Sequence, residues 1–290
     1  MRSLEGNSGR HRIQGSGLLA RLTKIERRCA ITPNNMAENT LHLWCAFPDD
    51  LLDEEAAKAC ARLLSDDELA RWQRFKFDEH RREYLATHAL ARIALSHHHP
   101  MPPDSWRFRS NEFGKPAIDP ERGLRFNLSN SLGLVVCLIS EGAEVGVDVE
   151  PRTRAGSIAE VGPRMFSQEE QAQLEALPDE ARPQRALHLW TLKEAYIKAR
   201  GMGLALPLNE FSFVFKEGES IHLEIDPSLG DEPERWRFSL LEYAAHCIAL
   251  MVENRGQPEL NGQEVRFPFS APRQLDLGRQ MWQPPLRSVR

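Results

Sequence analysis

The sequence has no apolar run long enough to cross a membrane. Its longest such run, Leu134 to Ile139, has the length of a β-strand, whereas a spanning helix needs about 20 residues. An excess of basic residues is also missing, since 37 Lys and Arg stand against 42 Asp and Glu, for a net charge of −5. Non-specific nucleic-acid binding requires a broad basic surface. We therefore expect a soluble protein that binds neither membranes nor nucleic acid.

Paired cysteines are missing as well. The five cysteines are scattered without a Cys-x-x-Cys motif, and their odd number does not suit a complete disulfide framework. Four of them lie in apolar stretches, where a small buried thiol is the ordinary interpretation. This cysteine usage predicts a protein of the reducing cytoplasm, with neither disulfides nor a thiolate metal site.

The common nucleotide-binding and hydrolase motifs are absent too. The sequence contains no Gly-x-Gly-x-x-Gly, no Gly-x-x-x-x-Gly-Lys-[Ser/Thr], no Gly-x-Ser-x-Gly and no His-Glu-x-x-His. These absences exclude the commonest dinucleotide-binding, phosphate-loop, serine-hydrolase and zinc-peptidase interpretations.

The 290 residues, 41% of them hydrophobic, suffice for one large domain or two medium ones with a real core. Residues 1–35 are rich in Gly, Ser, Asn and basic residues and are predicted to form a flexible N-terminal tail. Met36 is favoured as the natural start, with a transit peptide as the alternative. Residues 255–290 carry five Pro and little periodicity, so we expect a loosely attached C-terminal tail.

Strand-like and helix-like segments alternate twice between the two tails. Capping-box signatures at Ser65 and Ser167, each followed three residues later by Glu, open helices, and the first helix is expected to run to Ser96. Two strand–helix–strand sets favour two α/β halves, 36–143 and 144–254, over one doubly wound sheet. Strands are predicted at 41–47, 124–128, 134–140, 145–150, 211–215, 221–225, 236–241 and 247–252, and a further helix at 184–199.

The segment from Val145 to Pro151 pairs two carboxylates. Because side chains alternate along a strand, Asp148 and Glu150 share one face and two valines the other. Like charges on a buried face repel and are costly to desolvate unless a cation or proton lies between them. A hard divalent metal is the natural cation for such a pair. The alternative is an edge strand whose acidic face is solvated.

The segment from Trp190 to Gly201 is predicted to be a helix with two different faces. At about 100° per residue, Glu194 and Lys198 line one side and an apolar stripe lines the other. An exposed i,i+4 ion pair is common and is the alternative to a catalytic role.

Two further segments carry groups suited to a phosphate. A Gly-Lys-Pro turn supplies Lys115, and a predicted strand end supplies Asn127, Ser129 and Asn130, so an ammonium and several short donors are available. Each segment alone is typical of a plain loop.

The order of these motifs resembles the 4′-phosphopantetheinyl transferase superfamily. The matching stretches are Gly-Lys-Pro, Phe-Asn-Leu-Ser, Gly-Val-Asp-Val-Glu and, further along, Trp-x-x-Lys-Glu-Ala-x-x-Lys. The resemblance is to the long, Sfp-type form and covers about residues 41–252, without the tails. It implies a pseudo-symmetric fold of two α/β halves, which agrees with the two strand–helix–strand sets.

The resemblance also implies an activity and roles for the acidic residues. A family member is a holo-[acyl-carrier-protein] synthase, which transfers phosphopantetheine from coenzyme A to a carrier-protein serine and releases adenosine 3′,5′-bisphosphate. Carried over by motif, Asp148, Glu150 and Glu194 would bind Mg²⁺, or Mn²⁺ in its place. Glu194 would also take the serine proton, and Lys198 would stabilise or protonate the leaving phosphate.

Coenzyme-binding positions follow from the same resemblance. Asn130 departs from the family, which commonly has His after Asn-x-Ser near the adenosine 3′-phosphate. An amide donates a neutral hydrogen bond but no charge, so we expect a weaker hold on this phosphate or compensation by a nearby Arg. The predicted coenzyme-binding residues are basic or short and polar: Arg71, Arg82, Lys115, Asn127, Ser129, Asn130 and Lys193.

The partners implied are acyl or peptidyl carrier proteins, or carrier domains of fatty acid, polyketide or nonribosomal peptide synthases. Because both halves lie in one chain and can build the site between them, a monomer is expected. Two alternatives remain open: a catalytically silent relative that binds coenzyme A or carrier proteins, and a metal-dependent phosphohydrolase with water as the acceptor. Transfer to a carrier serine, rather than release of free phosphopantetheine, separates these possibilities.

Overall fold

The computed structural model describes residues 39–216, 220–268, 270–277 and 282–283. The predicted N-terminal tail, residues 1–35, and the proposed start at Met36 lie outside these residues. Among the helices described, none is both long and apolar enough to cross a membrane.

The described part of the first half contains five strands and three α-helices. The strands are β1 (Thr40–Ala46), β2 (Phe108–Ser110), β3 (Pro116–Ile118), β4 (Leu124–Ser131) and β5 (Leu134–Glu141). The helices are α1 (Glu54–Ala61), α2 (Asp66–Gln73) and α3 (Asp78–His98).

The second half repeats this mixture and is followed by two more strands. Its strands are β6 (Val145–Pro151), β7 (Phe211–Phe215), β8 (Ile221–Ile225), β9 (Trp236–Tyr243) and β10 (His246–Glu253). Its helices are α4 (Ala155–Val161), α5 (Gln168–Glu175) and α6 (Arg182–Arg200). The further strands are β11 (Glu259–Glu264) and β12 (Arg273–Gln274).

Two sheets organise most of these strands. The larger has the order β12-β11-β1-β5-β4, and the smaller has the order β6-β10-β9. The remaining strands form the two-stranded ladders β2-β3 and β7-β8. Neighbouring strands are antiparallel, except that β11 runs parallel to β1.

The layers follow from the alternation of side chains along the strands. In β1, Trp44 and Ala46 pack into a core with α3, whereas Leu41 and Leu43 face the smaller sheet. The opposite face of the smaller sheet packs against α6. The molecule is therefore built of four layers: α3, the five-stranded sheet, the three-stranded sheet and α6.

Both predicted capping boxes form in the structure. The Ser65 side chain accepts from the Glu68 N–H, and the Glu68 carboxylate accepts from the Ser65 N–H at 2.9 Å. Ser167 and Glu170 repeat this reciprocal arrangement at the start of α5. The local signal was sufficient because both partners of a capping box lie within one helical turn.

The prediction of one continuous helix from Ser65 to Ser96 is wrong, because the chain turns between α2 and α3. The Trp72 indole donates to the Arg81 carbonyl at 3.0 Å, and the Arg81 guanidinium donates to the Phe75 carbonyl at 2.7 Å. These contacts join the end of one helix to the start of the next and stabilise the turn.

The expectation of a loosely attached tail at 255–290 is wrong for its described part. β11 extends the larger sheet beside β1, and Val265 and Phe267 belong to the core that contains α3. The sequence of β11 is mostly polar and carries little periodicity. Its attachment depends on backbone hydrogen bonds to the edge of β1, which sequence periodicity does not report.

Gly146 lets β6 approach α6 closely. A Cβ atom at this position would lie 2.1 Å from the Ala195 carbonyl oxygen and 2.5 Å from the Ala199 backbone nitrogen. The contacts are with helix backbone, which cannot move aside as a flexible side chain does. Glycine is therefore required where the strand passes under the helix.

Gly146→Ala is expected to destabilise the protein by about 3 kcal/mol, because the added methyl group forces α6 away from β6. Chemical unfolding followed by circular dichroism measures the change. Gly156→Ala is the matched control, since a Cβ atom there meets nothing within 4 Å. Equal stability of the two variants would contradict the close approach of β6 to α6.

A histidine pair lies on the α3 side of the larger sheet. The His42 and His98 rings are 4.1 Å apart between centroids, and the Trp44 indole donates to His98 Nε2 at 3.1 Å. Both ring nitrogens of His42 are buried without a hydrogen-bond partner among the described residues. Burial lowers the pKa of His42 to about 4 and that of His98 to about 3, so both rings are neutral at physiological pH.

The stability of the fold is expected to fall as the pH drops from about 6.5 to 4. In this window the unfolded chain binds a proton at His42 that the folded chain excludes, which amounts to up to about 3 kcal/mol. His42→Leu removes this proton uptake and should reduce the slope of the unfolding free energy against pH, while His98 supplies the rest of the slope. The exposed His80, changed to Leu, is the control. An unchanged slope in His42→Leu would show that His42 does not contribute.

Candidate active site

The edges of the two sheets meet where β4 lies beside β6. Asn127 Oδ1 accepts the Val147 N–H at 2.9 Å, and Ser129 Oγ accepts the Val149 N–H at 3.3 Å. Side chains of β4 thus satisfy backbone donors on the edge of β6 that faces away from β10. Ser129 also donates to Asp148 Oδ1 at 2.9 Å, which joins this seam to the acidic face of β6.

Asp148 and Glu150 lie on the face of β6 that is covered by α6. Their side chains are only 6% and 7% exposed. The shared face predicted from strand alternation is confirmed, and the alternative of a solvated acidic edge is wrong. Two carboxylates at this burial need compensating donors or cations.

Glu150 is compensated from three elements. The Arg154 guanidinium donates to Glu150 at 2.7 Å, the Trp190 indole at 3.0 Å and the Ser131 hydroxyl at 3.1 Å. The pKa of Glu150 is nevertheless raised, first by burial and then by the charge of Asp148. The repulsion between the two carboxylates is therefore only partly offset.

Lys198 and Glu194 bring α6 into the same cluster. The Lys198 ammonium lies 2.6 Å from Asp148 Oδ1 and donates to Ser129 Oγ at 2.8 Å. The alternative of an exposed Glu194–Lys198 pair is wrong, because the lysine binds a buried carboxylate of β6. Burial and the charge of Asp148 raise the pKa of Glu194 to about 7, and Lys198 lowers it in part.

The cluster has the composition of a divalent cation site. Asp148 Oδ2 is buried without a hydrogen-bond partner among the described residues. The charge of Asp148 raises the pKa values of both Glu150 and Glu194. Oxygen ligands of this kind suit a hard cation such as Mg²⁺, so the residues present fit such an ion.

Comparison with known proteins reveals a family. The 4′-phosphopantetheinyl transferase superfamily matches residues 144–251. The 4′-phosphopantetheinyl transferase HetI of a Nostoc species is 34% identical over 226 residues, which cover 76% of this chain and 90% of that protein. The chain belongs to the 4′-phosphopantetheinyl transferase superfamily.

Other relatives and a solved structure are similar over smaller shares. The 4′-phosphopantetheinyl transferase Sfp of Bacillus subtilis is 28% identical over 65% of this chain and 83% of its own length. The transferase gsp of Aneurinibacillus migulanus is 37% identical over 57% of this chain and 68% of its own length. The crystal structure of Thermotoga maritima holo-[acyl-carrier-protein] synthase matches 39% of this chain and 64% of that chain, with 20% identity and a TM-score of 0.32.

This chain is therefore a 4′-phosphopantetheinyl transferase, with Sfp-type homologues over most of its length. The mixed α/β, two-halved fold predicted from the sequence is confirmed by this homology. The enzyme class and the transferase activity inferred from the motifs are likewise confirmed.

The residues predicted to bind coenzyme A are distributed over several places in the transferase. Arg71 lines a cavity of about 580 Å³ between α2, α3 and the β2-β3 ladder. Lys115 lines a neighbouring cavity of about 430 Å³ and is held by Glu144 at 2.7 Å. Pro116 and Phe126 belong to the walls of both cavities. The two predicted cations therefore approach a common region from different sides.

The remaining polar candidates lie closer to β6 or on the surface. Asn127 and Ser129 are buried in the seam, where their oxygens serve β6, so the structure gives them a positioning role. Asn130 is exposed, and its amide lies 3.5 Å from Glu83. Arg82 is half-buried near the start of α3 and lines neither cavity.

The prediction that Lys193 contacts the coenzyme is wrong. Its side chain is fully buried and binds the equally buried Glu170 at 2.7 Å and the Phe211 carbonyl at 2.6 Å. Glu170 in turn accepts the Phe213 N–H at 2.9 Å. Lys193 is next to Glu194 in sequence but lies on a different side of α6, because adjacent residues on a helix point about 100° apart.

Sequence reasoning missed several groups near the site. Arg154 pairs with Glu150 although Pro151 ends the strand between them, so no helical or strand spacing pointed to it. Arg92 and Arg107 line the same cavity as Arg71 and are additional cations there. Their convergence depends on how α3 packs against the β2-β3 ladder, which has no signature in the sequence.

Lys193→Met is expected to cost about 3–5 kcal/mol of stability, because it leaves Glu170 buried without its cation. The double variant with Glu170→Gln should recover part of the loss in an equilibrium unfolding measurement. Lys58→Met, which removes a surface ion pair, is the control and should leave the unfolding midpoint unchanged.

The same variant tests the corrected role of Lys193 in the transferase. At a temperature where Lys193→Met is folded, its KM for coenzyme A should equal that of the wild type. A raised KM combined with wild-type stability would instead indicate direct contact with the coenzyme.

Proposed function

We propose that this transferase moves phosphopantetheine from coenzyme A to a serine of a carrier protein or carrier domain. The observation that supports this proposal is the unpartnered, buried Oδ2 of Asp148, whose carboxylate is bound by Lys198 and raises the pKa values of Glu150 and Glu194. The Sfp-type relative to which this chain is similar is named a 4′-phosphopantetheinyl transferase, which agrees with the proposal.

Asp148, Glu150 and Glu194 are proposed as the ligands of Mg²⁺. When bound, the cation offsets charge on the pyrophosphate and on the leaving phosphate as the phosphoanhydride breaks. Mn²⁺ accepts the same oxygen ligands and is proposed as a substitute. Ser129 orients the Asp148 carboxylate, and Arg154 orients the Glu150 carboxylate.

Glu194 is proposed as the base. Unlike Asp148 and Glu150, it accepts no hydrogen bond from the described residues, so its oxygens are available to the incoming serine. The serine oxygen forms a bond to the pantetheine-bearing phosphorus, and its proton passes to the Glu194 carboxylate. The bond from this phosphorus to the bridging oxygen breaks and adenosine 3′,5′-bisphosphate leaves.

Lys198 is proposed to stabilise the leaving phosphate. Its ammonium is held by Asp148 and Ser129 and is 27% exposed, so it is oriented and still reachable by a ligand. A fixed cation at the developing charge lowers the barrier without reorganising during the reaction.

Coenzyme A is proposed to bind along the two adjoining cavities. Arg71 and Lys115 are the predicted contacts there, with Arg92 and Arg107 as further cations. An arginine in this group would compensate for Asn130, which offers no positive charge. Coenzyme binding by Arg82, a monomeric state and a cytoplasmic location stay predictions.

The proposed reaction predicts a metal-dependent mass gain on a carrier protein. Purified apo acyl-carrier and peptidyl-carrier proteins are incubated with the enzyme, coenzyme A and Mg²⁺, and each carrier is weighed by intact mass spectrometry. Asp148→Asn and Glu194→Gln should reduce the rate at least about 100-fold, since each removes a cation ligand and the latter also the base.

Glu175→Gln is the matched control, because Glu175 is an exposed carboxylate on α5 outside the cluster. Wild-type rates in Asp148→Asn would contradict the ligand assignment. Release of free phosphopantetheine without carrier labelling would indicate a phosphohydrolase, and coenzyme A binding without either product would indicate a silent relative.

A further inference from the structure

A second group of potential metal ligands lies at the other end of the α6 interface. It consists of His188 on α6, Glu242 on β9 and Cys247 on β10, hereafter the thiol cluster. One ligand atom from each residue lies within 4.8 Å of the other two. Glu242 and Cys247 are register partners in the smaller sheet, so their side chains leave it on the same face.

The thiol cluster is closed on one side and open on the other. Cys247 is 1% exposed, whereas the side chains of His188 and Glu242 are 25% and 37% exposed. An ion would enter past the imidazole and carboxylate and meet the thiol at the bottom. The site is thus accessible without opening of the core.

Neighbouring side chains already bind two of the three ligand residues. Arg152 binds Glu242 through Oε2 at 2.8 Å, while Oε1 lies 3.7 Å from His188 Nε2. The Gln184 amide nitrogen lies 2.7 Å from the same His188 nitrogen, so the amide donates a hydrogen bond to the imidazole. The Nε2 lone pair therefore accepts from Gln184, and an ion would displace this hydrogen bond when it binds.

The charges of the cluster suit a divalent ion. A thiolate and a carboxylate supply two negative charges, one of which Arg152 already balances, and a neutral imidazole supplies none. Without an ion, burial and the charge of Glu242 raise the pKa of the Cys247 thiol, and burial lowers the pKa of His188. A cation offsets the cost of a buried thiolate, and binding would release its proton.

We propose that His188, Glu242 and Cys247 form a binding site for Zn²⁺ or a similar transition metal ion, separate from the oxygen ligands of the candidate active site. Thiolate and imidazole select borderline ions such as Zn²⁺ and Co²⁺ over Mg²⁺. Three protein ligands leave a fourth position for water. The sequence predicted no thiolate site because the three ligands come from three elements.

The site would join α6 to β9 and β10. Cys247 is also the register partner of Glu150 on β6, so the thiol cluster and the candidate active site occupy neighbouring strands beneath one helix. An ion that binds the folded chain alone stabilises it by mass action. Occupancy is therefore expected to raise the melting temperature of the enzyme.

Cobalt absorption tests the site directly. The full-length enzyme is titrated with Co²⁺ in saturating Mg²⁺, and the thiolate-to-cobalt charge-transfer band is recorded, which oxygen ligands do not produce. We expect one equivalent of Co²⁺ to develop the band, Zn²⁺ to remove it, and the melting temperature to rise with either ion.

Variants decide which residues hold the ion. Cys247→Ser should abolish the band, and His188→Gln should weaken cobalt binding at least about 10-fold. Cys29→Ser is the control, since this cysteine is the one outside the described residues, and it should bind as the wild type does. No band in the wild type, or a band retained in Cys247→Ser, would overturn the proposal. If Cys247→Ser does not fold, His188→Gln decides, and an unchanged cobalt affinity in it overturns the proposal.

Discussion

Two like charges buried side by side on β6 are the constraint on which the surrounding structure depends. Asp148 and Glu150 cannot remain ionised in this position without donors and cations, since their desolvation and repulsion both disfavour the charged forms. The protein meets the constraint from three directions: Ser129 comes from β4, Arg154 follows β6, and Lys198 comes from α6. The groups that stabilise these two charges in the fold are therefore also the groups that would surround a substrate.

This constraint explains why α6 is fixed so firmly. On the side of α6 that faces β6, Gly146 permits the strand to approach the helix backbone, which brings Glu194 and Lys198 to the carboxylates. On another side of α6, the buried pair of Lys193 and Glu170 connects the helix to α5 and β7. A buried ion pair adds little net stability compared with apolar packing, but it has one acceptable geometry. We infer that the helix is held in one rotational setting, the one that directs Glu194 into the site.

Local sequence patterns predicted on which face of a helix or strand a side chain lies. They did not predict its partners from distant parts of the chain. The shared face of Asp148 and Glu150 follows from strand alternation, and both capping boxes follow from contacts within one turn. Lys193 was misassigned because its partner is Glu170, which only tertiary packing brings to it. The polar strand β11 was overlooked because its own sequence has no periodicity. It is held by its pairing with the neighbouring edge of β1. The two-halved fold was predicted from the two strand–helix–strand sets, and the resemblance of motifs agreed with it.

The parallel pairing of β11 with β1 has a consequence for synthesis of the chain. β1 is among the first described residues to leave the ribosome, yet Thr40 finds its partner Glu259 near the far end of the chain. Until then one edge of β1 presents unpaired backbone groups, a template for association with other chains. Contacts of such sequence separation also slow folding, because a large loop must close before they form. The larger sheet is thus completed only after β11 has been translated, more than 200 residues after β1.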